Sequence, residues 1–292
     1  MKSKILGTGL SGLVGSRVVE LLRDRYEFEN LSLETGVDIT DRESLQERIN
    51  DSSAPIVFHF AAKTDVDGCE KDKPLKELGA AWKINVDGTR NVVEVCRKYG
   101  KKIVYISTDF VFAGDHAPAD GYIEEDSTSP VNWYGQTKLR GEEIVINYGL
   151  PFIVLRIAYP YRAKFDGKKD FVRTIAAKLA KNEKILAVKD HIMTPTFIDD
   201  IAVTLHTLLK EAATGIYHVV GSQFITPFDA AILVAKAFNY DTSLVNPTQR
   251  EEYFKNLAPR PFNLSLKNDK ITKLGIKMRS FEEGLEEIKR QS

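Results

Sequence analysis

Tyr134 and Lys138 lie four residues apart in a stretch read as helix over about 131–148, so their side chains share one face. A phenol ordinarily titrates near about 10 and is a poor acid–base partner at neutrality. An ammonium one turn away favours the phenolate and moves it toward the range where proton transfer is efficient. The same amine can hydrogen-bond the ribose of a nicotinamide nucleotide. Such a pair is common on helix surfaces, so its context decides its meaning. Ser107-Thr108-Asp109 ends the run Lys102 to Ser107, which reads as a strand. A hydroxyl there can donate to a carbonyl oxygen beside the phenol, or simply cap a turn.

The third element is a glycine loop, Gly7-Thr8-Gly9-Leu10-Ser11-Gly12-Leu13-Val14-Gly15, following the strand Ser3 to Leu6 and opening a helix over Gly12 to Arg25. Glycines there permit positive φ and let the backbone approach a pyrophosphate, which rests on the positive helix N-terminus. Gly7, Gly9 and Gly12 satisfy one dinucleotide spacing and Gly9, Gly12 and Gly15 another. An acidic residue about twenty positions on can hold the adenosine ribose, and Glu34 and Asp38 are the candidates. No Lys or Arg lies between Asn30 and Asp41, which tilts the cofactor toward NAD(H) over NADP(H), with Arg17 and Arg42 as cations able to reverse that choice.

These residues need a scaffold that gathers strand ends. Short apolar runs at Leu31 to Leu33, Ile56 to Phe60, Lys102 to Ser107 and Phe152 to Arg156 alternate with helical patterns. The helices are read over about 41–50, where Thr40 and Glu43 form a capping box, over Ala80 to Tyr99, and over about 131–148. Alternation of this kind demands crossover connections and predicts an α/β fold, a doubly wound parallel (Rossmann) sheet with ligands beyond its carboxyl strand ends. Residues 1–160 read as the dinucleotide-binding domain. Residues 161–292 read as mostly a smaller C-terminal substrate lobe, with about 190–222 returning to the first domain through the helix ending near Leu209 and the strand Ile216 to Val220.

Composition narrows the classes. The chain has 292 residues, 43% hydrophobic and 28% charged, which excludes disorder as its main description. Basic and acidic residues both number 41, so no global field points to nucleic acid or an anionic membrane. No apolar run approaches the ~20 residues that span a bilayer, and no signal-peptide pattern follows Met1. Two cysteines, Cys69 and Cys96, fit a reducing cytoplasm and offer no metal-ligand spacing. Both, like His59, are expected to be packed in the core, and His191 is expected on the surface or behind the site.

Together these strings resemble a family. Thr8-Gly9-x-x-Gly12-x-x-Gly15, Ala61-Ala62-Lys63-Thr64-x-Val66-Asp67 and Asn85-Val86-x-Gly88-Thr89-x-Asn91 match it. So do Tyr105-Ile106-Ser107-Thr108-Asp109-x-Val111-Phe112, Tyr134-Gly135-x-Thr137-Lys138-Leu139-x-Gly141-Glu142, Thr194-Pro195-Thr196 and Arg260-Pro261-x-Asn263. The chain resembles an extended short-chain dehydrogenase/reductase of the dTDP-4-dehydrorhamnose reductase group over nearly its whole length.

The resemblance implies reduction of a nucleotide-linked 4-keto-6-deoxy sugar by NAD(P)H. It implies that Tyr134 is the proton donor, Lys138 tunes it, Thr108 polarises the carbonyl and Asn85 supports the proton relay. Gly9, Gly12, Leu13, Val14, Gly15, Asp38, Ile39, Ala61, Ala62 and Lys63 match positions lining the cofactor, along with Tyr134 and Lys138. Thr108, Tyr134 and Arg260 fall on the substrate side, Arg260 as a diphosphate candidate. Homodimerisation is common among such relatives. The chain departs from the pattern at Lys63, where the family usually has His, and at Tyr159-Pro160, where it often has Trp-Val. Two alternatives accompany the reductase: a nucleotide-sugar epimerase, and a dinucleotide-binding regulatory subunit resembling the β subunit of methionine adenosyltransferase. Phe110 leaves Asp109 without the second carboxylate of a 4,6-dehydratase.

Overall fold

The computed structural model describes residues 2–291. Strand residues alternate between two cores, as the period of two requires. Ile5, Phe58, Val104, Ile153 and Leu155 enter one apolar layer, while Leu6, Val57, Ile103, Tyr105 and Val154 enter the other. The strands are β1 (Ser3–Thr8), β2 (Tyr26–Leu31), β3 (Ile56–His59), β4 (Lys102–Thr108), β5 (Phe152–Ile157), β6 (Pro160–Tyr161), β7 (Ile185–Val188), β8 (Thr196–Phe197), β9 (Gly215–His218) and β10 (Val245–Thr248). Six of them form one all-parallel sheet in the order β2-β1-β3-β4-β5-β9. This is the doubly wound Rossmann sheet expected from the alternating pattern.

The helices are α1 (Leu13–Leu22), α2 (Arg42–Asp51), α3 (Val66–Asp72), α4 (Ala80–Trp82), α5 (Thr89–Lys98), α6 (Trp133–Asn147), α7 (Phe171–Leu179), α8 (Ile198–Lys210), α9 (Pro227–Ala237), α10 (Arg250–Tyr253), α11 (Asp269–Thr272) and α12 (Phe281–Gln291). Helices α1 and α8 bury Val18, Leu22, Ile201 and Leu205 on one sheet face; α2, α5 and α6 bury Leu45, Ile49, Val92, Cys96 and Val145 on the other. The chain after residue 160 contributes both α8 and the sixth strand, β9, to this body. It also returns later, because Ile271, Ile276 and Met278 join the same apolar layer as α1 and α8. Elsewhere it builds the parallel pair β7–β10, packed by α7 and α9 around Leu179, Ala231 and Ala235.

Four local expectations need correction. The second strand is Tyr26–Leu31, not Leu31 to Leu33, and α1 stops at Leu22. Tyr26 and Phe28 alternate with Glu27 and Glu29 on an edge strand, and the glutamates mask the short apolar run. The cap of α2 is Asp41, whose carboxylate accepts from Glu43 N and Ser44 N, while Thr40 turns its hydroxyl to Asp38. The expected helix over Ala80 to Tyr99 is interrupted by a π-helical turn, Lys83–Gly88, between α4 and α5. Such turns concentrate near functional sites, and this one holds Asn85.

Candidate active site

The glycine loop is shaped by close approach. Gly9 has φ +69°, and a Cβ on it would stand 2.5 Å from Ala61 N. A Cβ on Gly15 would stand 2.4 Å from Gly9 O, so the start of α1 presses directly on the loop. Gly12 is the N-cap of α1, no side chain caps that end, and its first turn carries no acidic residue. A bare helix N-terminus beside a cradle without side chains fits a pyrophosphate.

Beyond the carboxyl ends of β1, β3, β4 and β5 lies a cavity of about 810 Å³. Its wall brings together Gly9, Gly12, Leu13, Val14, Gly15, Ala61, Ala62, Thr108, Tyr134, Lys138 and Arg260. Asp38, Ile39, Lys63 and Asn85 stand outside that wall. Asp38 is exposed and accepts from the backbone and hydroxyl of Thr40. Ile39 is buried, and a Cβ on Gly88 would meet it at 2.7 Å. Asn85 clasps Lys63, accepting from its N–H at 2.8 Å and donating to its carbonyl at 3.0 Å. It also donates to Thr137, whose hydroxyl bonds the Tyr134 carbonyl. Asn85 thus ties the loop after β3 to the helix bearing the tyrosine.

Helix α6 is set by its N-terminal turn. Asn132 caps it by accepting from Gly135 N, and Glu70 accepts from Trp133 N at 2.7 Å. A Cβ on Gly135 would come within 2.2 Å of Phe110 O, so only glycine lets the helix reach the end of β4. Tyr134 packs edge-on against Phe110. The expected lowering of its phenol by Lys138 is not found: burial pushes the phenol above the ordinary value, with the Thr108 hydroxyl pulling the other way. Lys138 is pushed down to about 7 by burial, opposed by Glu142. Its Nζ donates to Ile106 O at 2.8 Å and lies 4.1 Å over the Tyr105 ring. Glu142 in turn is held by a buried two-point pair with Arg156.

Thr108 donates to Asp109 Oδ1 at 2.9 Å and accepts from Phe110 N. Asp109 is buried, its Oδ2 has no partner, and burial raises its carboxyl to about 7. Arg260 enters the wall already paired with Asp67 at 2.9 Å and lying over the Phe254 ring.

His191 is not on the surface, one of its two expected places: it is 1% exposed, lines the cavity and stands behind Tyr159. A lone histidine in a loop carries no periodic signal, and its partners come from Tyr159 and Pro261. His59 is buried as expected but also fully bonded, between the hydroxyls of Thr8 and Thr89. Cys69 and Cys96 are both buried. The cavity wall also includes Phe171, Thr174, Ile175 and Lys178, which sequence reasoning missed. Their spacing of three, four and seven on α7 was the available signal.

A doubly wound sheet with a glycine cradle, a strand-end threonine and a Tyr-x-x-x-Lys helix on one cavity defines an extended short-chain dehydrogenase/reductase. Comparison with known proteins agrees. The family model described as RmlD substrate binding domain matches residues 3–292, and the chain belongs to that family. It is 30% identical over 301 residues to dTDP-4-dehydrorhamnose reductase of Aggregatibacter actinomycetemcomitans, covering 98% of each chain. It is also 30% identical over 305 residues to methionine adenosyltransferase 2 subunit beta of Mus musculus, covering 97% of this chain and 86% of that protein. Among solved structures, dTDP-4-dehydrorhamnose reductase from Bacillus anthracis in complex with NADP superposes with a TM-score of 0.90 at 31% identity, covering 100% of both chains.

Proposed function

We propose that the protein is an NAD(P)H-dependent reductase of a nucleotide-linked 4-keto-6-deoxy sugar. The observation that carries this reading is the meeting of Thr108, Tyr134 and Lys138 with the glycine cradle on one cavity. The reduced nicotinamide supplies hydride to the carbonyl carbon when bound. Tyr134 gives the carbonyl oxygen its proton; burial keeps the phenol protonated at neutral pH, which suits a donor. Lys138, close to neutrality in its titration, returns a proton to the phenol and holds the ribose. The Thr108 hydroxyl, held at the end of β4 by its bond to Asp109 Oδ1 and by Phe110 N, is offered to the carbonyl. Asp109 is thus a positioning group for Thr108.

The aromatic and cationic wall, Phe171, Lys178, Tyr253, Phe254 and Arg260, suits a base and a diphosphate. For the cofactor we favour NAD(H). Arg17, the more buried of the two cations, is engaged by Asp199 and Glu20 and is not free for a 2′-phosphate, while Arg42 makes an exposed pair with Glu94. The test is loss of nicotinamide absorbance with a thymidine diphosphate-linked 4-keto-6-deoxy sugar, using NADH and NADPH in parallel. Turnover with higher kcat/KM for NADH is expected; tight dinucleotide binding with no turnover overturns the reductase.

A second reading, a regulatory subunit, is favoured by the similarity to methionine adenosyltransferase 2 subunit beta at the same level of identity. Co-purification with a synthetase whose rate changes on mixing is its signature.

A further inference from the structure

Four consecutive residues, Ala258 to Pro261, are each tied to a different part of the molecule. Ala258 N donates to Asp67 on α3 at 3.0 Å, and Pro259 O accepts from the Asn132 amide at 2.9 Å. Arg260 O accepts from Arg250 on α10, and Pro261 O lies 2.7 Å from His191 Nδ1. The segment is therefore a strap between the helices of the six-stranded body and the loops that follow β7 and β10. It carries the Arg260 side chain into the cavity wall. There one terminal nitrogen donates to Asp67 at 2.9 Å and the other to Ala258 O at 2.7 Å, which fixes where the guanidinium points.

Asn132 is fully buried, and its one side chain serves two neighbours at once. Its Oδ1 accepts from Gly135 N at 2.8 Å, which sets the first turn of α6 and with it Tyr134. Its Nδ2 donates to Pro259 O, the residue before Arg260. Helix α3 makes the same connection a second time. Asp67 holds the strap, and Glu70, three residues on, accepts from Trp133 N at 2.7 Å. Two bridges thus join the start of the tyrosine helix to the segment that presents the guanidinium. Binding energy gained far from the reacting atoms raises turnover only where both ends of a substrate are held in register.

We propose that Asn132 is a positioning residue that fixes the separation between Arg260 and Tyr134, the groups for the diphosphate and for the carbonyl, an assignment that rests on the keto-sugar reading and deepens it. Through it the diphosphate end of the substrate contributes to turnover as well as to affinity.

The test begins with thymidine diphosphate alone, without dinucleotide. The chain has two tryptophans, Trp82 and Trp133, stacked at 5.8 Å beside the start of α6, so intrinsic emission reports on that place. Emission is expected to change on titration and to saturate at the affinity that calorimetry gives. Asn132→Ser keeps an oxygen able to cap α6 and loses the donor to Pro259 O. Its kcat with a thymidine diphosphate-linked 4-keto-6-deoxy sugar is expected to fall at least about tenfold, with affinity for thymidine diphosphate within about threefold of the wild type. Arg260→Met is expected to lower kcat about tenfold in the wild type but less than about twofold in Asn132→Ser, while weakening diphosphate affinity equally in both. A merely structural Asn132 would give additive losses of kcat. Unchanged emission at saturation, no binding of thymidine diphosphate, unchanged kcat in Asn132→Ser, or equal fractional losses from Arg260→Met in both backgrounds overturns the proposal. The emission measurement needs no variant to fold. Failure of the reductase reading is separate: it appears as absent oxidation of reduced dinucleotide by the wild-type protein while the emission change persists.

Discussion

Burial raises both Tyr134 and Asp109 above their ordinary values, Asp109 to about 7, and that shared cause makes their replacements informative. Tyr134→Phe removes the proposed proton donor without touching the glycine cradle. Its kcat is expected to fall by about 10²–10⁴-fold, with dinucleotide affinity within about threefold of the wild type. Asp109 has a folded-state value near 7 against an unfolded value near 3.8. The folded protein therefore holds the extra proton between those values, and the carboxyl's contribution to stability is lost as pH rises from about 4 through 7. Asp109→Asn is expected to gain stability relative to wild type as pH rises, by up to roughly 4 kcal/mol at pH 8, read from denaturant midpoints. At this scale the Tyr–Lys pair was legible because helical spacing announces it. The Tyr159–His191–Pro261 contact was not, because its members are 32 and 70 residues apart.

Helices and strands position the site through close backbone approach, and the glycines at those approaches are the most sensitive points. Gly135→Ala places a methyl at 2.2 Å from Phe110 O and must push α6 away from the end of β4. The expected result is a loss of about 1–3 kcal/mol in stability and of turnover together, whereas Gly149→Ala, with no atom within 4 Å but φ +73°, should cost stability alone. The periodic helices α1, α5 and α6 and the apolar strands were visible in the pattern because each buries a regular face. The edge strand β2 was displaced because half of its residues are charged or polar and only Leu31 is fully buried. The π-helical turn at Lys83–Gly88 leaves no mark on composition; it is seen only once Asn85 is found clasping Lys63.

Across the whole molecule, function and stability meet in buried histidines on separate elements. His59, His191 and His218 are pushed down to about 3, 4 and 3 by burial. Each binds its proton more readily unfolded, so their contribution to stability is present above the unfolded value near 6.5 and is lost as pH falls toward about 4. The denaturation midpoint is expected to drop steeply between pH 6.5 and 4.5, and His59→Gln is expected to flatten that slope; an unchanged slope contradicts the assignment. No helix among the described residues is long and apolar enough to cross a membrane. The parallel sheet and the placing of strand ends at one cavity were legible from the alternation of short strands and crossover helices. The shape of the substrate side was not, because it is assembled from segments between residues 159 and 260 that carry no shared motif. The central claim is hydride transfer to a sugar carbonyl in that cavity. Its most direct test is incubation of the protein with a nucleotide-linked 4-keto-6-deoxy sugar and a dinucleotide deuterated at the transferring position of nicotinamide C4, followed by mass spectrometry of the sugar. Deuterium on the new carbinol carbon is the predicted result; recovery of unreduced sugar, or of an isomerised sugar without label, would contradict it.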